Sequence, residues 1–161
     1  MRRISVLFLA AVLLLGLVGC GDGSFDPREE AFSFTYSGIK IRLNAEATPI
    51  VNALGEPESY TEEPSCAFEG VDKTYCYGSF YLSTYPTSGR DYVYRLWFTD
   101  DEAATEEGIR IGSTKSQVEA AYGENGFDGV NRYVLTKGQT RLILLLEEDK
   151  VSSIRYEVSL D

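Results

Sequence analysis

Two stretches of this chain follow one plan, and that plan constrains the fold more than any other feature. The later one runs Gly108-Ile109-Arg110-Ile111-Gly112-Ser113-Thr114-Lys115-Ser116-Gln117-Val118-Glu119-Ala120-Ala121-Tyr122-Gly123. It reads as an extended lead-in, a helix start, a short amphipathic helix and a glycine stop. Thr114 and Gln117 have capping-box spacing: the threonine oxygen accepts from the third helical N–H, and the glutamine reaches back to the cap. Val118, Ala121 and Tyr122 form one apolar stripe, and Gly123 ends it. The earlier stretch, from Gly38-Ile39-Lys40-Ile41 to Ala53-Leu54-Gly55-Glu56, has the same order. Ala47, Ile50, Val51 and Leu54 fall on one side of a helix expected over residues 44–54. Pro49 fits near its start, Gly55 stops it and Pro57 prevents a restart.

Around these helices the period changes from 3.6 to 2, the mark of strands. Phe32-Ser33-Phe34-Thr35-Tyr36 opens the domain with a short strand, and residues 65–100 are strand-like throughout. In the run Tyr92-Val93-Tyr94-Arg95-Leu96-Trp97-Phe98-Thr99, the bulky even positions are expected to face the core. Three further strands follow the second helix, at 131–136, 140–147 and 151–158. Leu142-Ile143-Leu144-Leu145-Leu146 is apolar on both sides, which predicts a strand covered on both faces. Tyr94-Arg95-Leu96 near the end of the first unit corresponds to Ile154-Arg155-Tyr156 near the end of the second. The expected fold class is therefore α+β, with two tandem repeats of a short helical element plus an antiparallel β-meander. The first unit is placed at residues 31–104 and the second at 105–161.

The N-terminus carries a different message. Arg2 and Arg3 precede an apolar run that ends at Leu17-Val18-Gly19-Cys20. A basic start, an apolar middle and small residues before a cut describe an export signal over residues 1–19, and the run is short for a membrane span. The cysteine at the cut resembles the lipobox of bacterial lipoproteins. That resemblance implies a diacylglyceryl group and palmitate-like acyl chains on Cys20, and a protein lipid-anchored to the cell membrane on its extracytoplasmic side. Two or three acyl chains hold durably where one does not. Residues 20–30 then form the lipidated end and a polar, glycine-rich linker.

Charge and composition exclude several functions. Without Arg2 and Arg3 the chain has 13 basic against 25 acidic residues, a net charge of −12. Such a surface repels phosphate backbones, so no nucleic-acid partner is expected. The chain contains no histidine, the commonest general base and metal ligand. The carboxylate runs Glu62-Glu63, Asp100-Asp101-Glu102, Glu106-Glu107 and Glu147-Glu148-Asp149 sit in expected turns and connectors and lack calcium-loop spacing. Gly112-Ser113-Thr114-Lys115-Ser116 misplaces the lysine of a phosphate-binding loop. Neither a cofactor nor a metal is expected, and the chain is not expected to be an enzyme.

After Cys20 only Cys66 and Cys76 remain. If the hairpin between them centres on Val71, the two face each other across a non-hydrogen-bonded pair, close enough for a disulfide. A disulfide between Cys66 and Cys76 is expected on that register.

The Gly-Ile-x-Ile-Gly-Ser lead, the Val-x-x-x-Tyr-Gly helix end and the antiparallel meander resemble the repeat of the β-lactamase inhibitor protein fold. They are also similar to the unit of small outer-membrane assembly lipoproteins of the small-protein-A (OmlA) type. The resemblance implies a protein-binding module of adaptor or inhibitor-like kind, with an envelope or secreted protein as partner. No inhibitory loop matches residue by residue, so inhibition of a β-lactamase is not carried over. The candidate binding face is the aromatic one, with Tyr81, Tyr85, Val93 and Trp97 expected to project from it. A peptide or glycan ligand on the same aromatics is the alternative.

Overall fold

The structure is a computed structural model that describes residues 30–160. The export signal expected at 1–19, the lipidation expected at Cys20 and the linker up to residue 29 lie outside the described residues. The described residues begin with a small hairpin of β1 (Ser33–Tyr36) and β2 (Ile39–Arg42), followed by helix α1 (Ala47–Leu54). Four strands come next: β3 (Ser59–Pro64), β4 (Val71–Cys76), β5 (Phe80–Thr87) and β6 (Arg90–Phe98). Helix α2 (Lys115–Tyr122) leads to β7 (Arg132–Lys137), β8 (Thr140–Glu147) and β9 (Lys150–Val158).

Seven of these strands form one antiparallel sheet in the order β3-β4-β5-β6-β9-β8-β7. This overturns the expected α+β class with two helix-plus-meander repeats. The described chain is mostly β, about 48% strand and 12% helix, and one continuous sheet organises it. The two helices are only eight residues each, so they cap the sheet and do not form a helical layer of comparable weight.

Local chemistry explains the elements that form. Two-residue turns close three hairpins with left-handed backbone at both positions: Ser37-Gly38, Ser88-Gly89 and Glu148-Asp149. That geometry matches the right-handed twist of the strands it joins. At α2 the capping box is present, with Gln117 N–H 3.3 Å from Thr114 Oγ1 and Thr114 N–H 2.8 Å from Gln117 Oε1. Both helices stop at the expected glycines, where Gly55 and Gly123 donate to the carbonyls of Val51 and Glu119.

The core lies on one face of the sheet. Phe80, Leu82, Leu96, Phe98, Leu142, Leu144, Ile154 and Tyr156 project from the strands into it. Phe34 of the small hairpin packs against Phe80 and Phe98, with ring centroids 5.2 Å and 4.7 Å away. Ala47 of α1 and Val118 of α2 complete the layer.

Register decides two further outcomes. A β-bulge interrupts β6, so that Ser83 pairs with Arg95 while Thr84 pairs with Val93 and Tyr94 is the extra residue. The bulge switches the alternation: Leu96 and Phe98 face the core beyond it, and Val93 faces the core before it. In the cysteine segment, Pro64 pairs with Val71 and Ser59 with Cys76. The turn therefore spans 65–70, and Cys66 lies in it. Cys76 sits at the far end of β4, about 17 Å along the strand from the turn, at roughly 3.3 Å per residue. Among the described residues Cys66 and Cys76 are both free, and the expected disulfide between them is corrected by this register.

Two measurements check this arrangement. Iodoacetamide should label Cys66 in the folded, unreduced protein, and Cys66→Ser should change stability by no more than about 0.5 kcal/mol; an unlabelled Cys66 contradicts the register. The second concerns Tyr122, whose phenol is held above its ordinary value of 10.0, first by burial and then by its hydrogen bond to Glu107. The folded state keeps this proton after the unfolded state releases it. Its contribution is therefore full below about pH 10 and is lost as pH rises further. Tyr122→Phe should cost about 1 kcal/mol at neutral pH yet flatten the alkaline decline in urea-unfolding stability; an unchanged alkaline slope contradicts the assignment.

Candidate functional site

Among the described residues, the helices and the small hairpin pack on the core side and leave the opposite face of the sheet open. Successive registers place its side chains in rows that cross all seven strands. One row reads Thr61, Thr74, Ser83, Arg95, Glu157, Arg141, Thr136 from β3 to β7. The adjacent row reads Ser59, Cys76, Tyr81, Trp97, Arg155, Ile143, Val134. At strand spacing each row is about 29 Å long, the scale of a protein-binding face.

The four residues expected on the aromatic face have separate fates. Trp97 is 52% exposed, and Tyr81 is partly exposed beside it, with ring centroids 6.1 Å apart. Tyr85 is on this side but buried. Its hydroxyl donates to Asn44 Oδ1 at 2.6 Å, and Phe68, Tyr92 and Tyr94 pack around its ring. Val93 is fully buried on the core side, because the bulge at Tyr94 inverts the expected alternation. Trp97 and Tyr81 are therefore brought together as a surface; Tyr85 and Val93 serve the fold. The apolar run of β8 is buried on the core side and in part on the open face, where Ile143 is 3% exposed between Val134 and Arg155. Leu142, Leu144 and Leu146 face the core, while Leu145 is exposed.

At the centre of the open face stands a charge cluster that sequence reasoning did not assemble. Glu157, with only 10% of its side chain exposed, is ringed by Arg95, Arg141 and Arg155. Arg141 Nη2 donates to Glu157 Oε1 at 3.0 Å. Arg155 Nε lies 3.2 Å from Oε2 and Arg95 Nε 3.8 Å from it, neither aligned as a hydrogen bond. Arg95 also lies over the Tyr94 ring at 4.8 Å and donates to its hydroxyl at 3.2 Å. The three arginines remain 36–41% exposed, so their outer N–H groups reach solvent. The alternation in 151–158 places Arg155 and Glu157 on one side, but only the pairing of β6 with β9 and β8 with β9 adds Arg95 and Arg141.

Elsewhere the chemistry is that of a scaffold. A hollow of about 480 Å³ lies between Lys40, Glu106, Glu107, Tyr122 and Lys137. Its acids and bases balance, and Glu107 accepts from Tyr122 at 2.6 Å. Tyr81 is raised above the usual phenol range, first by its contact with the Cys76 thiol. Among the described residues no three His, Cys, Asp or Glu side chains converge to hold a metal ion, and no helix is long and apolar enough to cross a membrane.

Glu157 holds three like charges together. Glu157→Gln should lower stability by about 1–2 kcal/mol, between the limits for exposed and for buried pairs, because its partners are over a third exposed. The loss should shrink in high salt, which screens the repulsion it uncovers. Chemical denaturation at two ionic strengths checks this, and a salt-independent loss contradicts it. Comparison of the chain with protein-family models, with curated proteins and with solved structures finds no match in any of the three.

Proposed function

We propose that this protein is a bacterial lipoprotein, anchored at Cys20 on the extracytoplasmic side of a membrane, whose domain binds another envelope or secreted protein through the open face of its sheet. The observation that carries the binding reading is Trp97. It is the one tryptophan of the chain, it stands 52% exposed beside Tyr81 near the centre of the sheet face that the described residues leave open, and core packing does not require it there. Large exposed aromatics next to arginines are the residue types that dominate protein interfaces, because they offer area at small entropic cost. The lipobox supports the location, and the absence of histidine from the chain supports a non-enzymatic role.

A peptide or glycan ligand is the second reading, since the Tyr81–Trp97 pair also offers a stacking platform. A change in Trp97 emission on titration with cell-wall fragments, without a protein partner, would favour it.

Replacing Trp97 and Tyr81 together by alanine should weaken binding of the envelope or secreted partner, recovered by crosslinking to the wild-type protein in native membranes, by about thirtyfold or more, the loss of one interface hot spot. The fold should be retained, because neither side chain belongs to the core cluster. Unchanged capture would show that the assigned face is wrong.

A further inference from the structure

The central cluster carries more positive charge than its own carboxylate can use. Three guanidiniums surround one Glu157, an excess of two charges within a chain whose net charge is −10. Each guanidinium has five N–H donors, whereas a carboxylate offers about four acceptor sites. Among the described residues, only one hydrogen bond from these arginines reaches Glu157, and the Nε atoms of all three are buried without a hydrogen-bond partner. The other members of the two central rows are neutral, so none of them cancels the excess. Mutual repulsion should scatter three such heads into solvent, yet Glu157 gathers them.

We infer that the Arg95–Arg141–Arg155 array, held by Glu157, is the receiving site for a carboxylate side chain on an acidic segment of the partner protein. This rests on the docking face proposed above and names the chemistry at its centre. Guanidiniums in fixed positions recognise planar carboxylates through paired N–H donors, which lysines would not do. Charge complementarity selects the occupant. The acidic surface repels extended anions such as nucleic acids and anionic bilayers, while the local excess acts within about one Debye length, roughly 8 Å. A ligand must therefore bring its carboxylate to the cluster and lay uncharged groups against Trp97 and Tyr81, as a protein segment does. Glu157 is a positioning residue: it fixes the arginines and leaves their outer donors for the incoming acid.

The test titrates the full chain, by calorimetry at low salt, with an end-capped synthetic peptide of about a dozen residues that carries one Glu among uncharged residues, and with its Gln twin. The Glu peptide should bind about tenfold or more tightly than the twin, and salt should weaken it. Arg141→Gln and Arg155→Gln should each reduce its affinity by about fivefold or more. Arg132→Gln, on the same face but outside the array, should leave it unchanged. Arg141→Lys keeps the charge beside Glu157 and should give an intermediate value, which separates a binding loss from a folding defect. Equal affinity for the two peptides, or indifference to both Arg→Gln changes, overturns the site. Inorganic phosphate or phosphatidylglycerol vesicles competing as well as the peptide would overturn the protein segment as occupant. If the Trp97/Tyr81 variant loses its partner while the arginine variants keep their peptide affinity, this site falls and the docking face stands. If partner capture is unchanged but the arginines still discriminate the peptides, the docking face falls and the site stands.

Discussion

The structure depends on a short seam. Strands β6 and β9 meet over three register pairs: Arg95 with Glu157, Leu96 with Tyr156, and Trp97 with Arg155. Without that seam the chain would be a four-stranded meander and a three-stranded meander, each with an additional open edge. Edges of that kind are exposed to mispairing. With it, one sheet of seven strands shields a single core. The middle pair, Leu96 and Tyr156, is fully buried and ties the seam to the core face. The flanking pairs build the opposite face. An oppositely charged cross-strand pair such as Arg95 and Glu157 contributes roughly 0.2–1 kcal/mol, so the seam also has a charge-based preference for its register.

The same seam composes the candidate site. Trp97 and Arg95 come from one side of it, Arg155 and Glu157 from the other, and β8 adds Arg141 from the next strand. Alternation within a strand then divides the work between the faces. Leu96 and Phe98 support the core while Arg95 and Trp97 face outward from the same short segment. A β-bulge at Tyr94 ends that phase, turns Val93 inward, and leaves Tyr92 and Tyr94 around the buried Tyr85. The aromatic density of this region thus resolves into a structural cluster around Tyr85 and a small presented surface at Trp97 and Tyr81.

Much of the local structure was legible because it is written in local chemistry. The capping box of Thr114 and Gln117 and the stops at Gly55 and Gly123 act over a few residues, and each appears where its pattern places it. Long-range features were not legible in this way. β3 reads Ser-Tyr-Thr-Glu-Glu-Pro and is exposed at every position, so no buried face wrote a period into it. The bulge at Tyr94 has no glycine to announce it, and a shift of one residue moved Val93 to the core and Tyr92 away from it. The cysteine hairpin failed by register: Gly70, with φ of 128°, ends the turn just before Val71, and Val71 begins a strand where a turn centre was expected. The similarity of the two helical stretches is real as a pattern, but it did not dictate two equal α+β units. Strand pairing across the seam governs the architecture instead.

This seam sets a positive, aromatic-flanked surface into an otherwise acidic protein. Collisional quenching of tryptophan emission tests it directly, because Trp97 is the one tryptophan and lies beside Arg155 across the seam. At constant ionic strength, and with each quencher scaled to its effect on free N-acetyltryptophanamide, iodide should quench Trp97 more strongly than caesium, by about threefold, since the local excess of guanidinium attracts anions over the distance that quenching samples. Stronger scaled quenching by caesium, as the net charge of −10 alone would dictate, would show that no such positive surface surrounds Trp97.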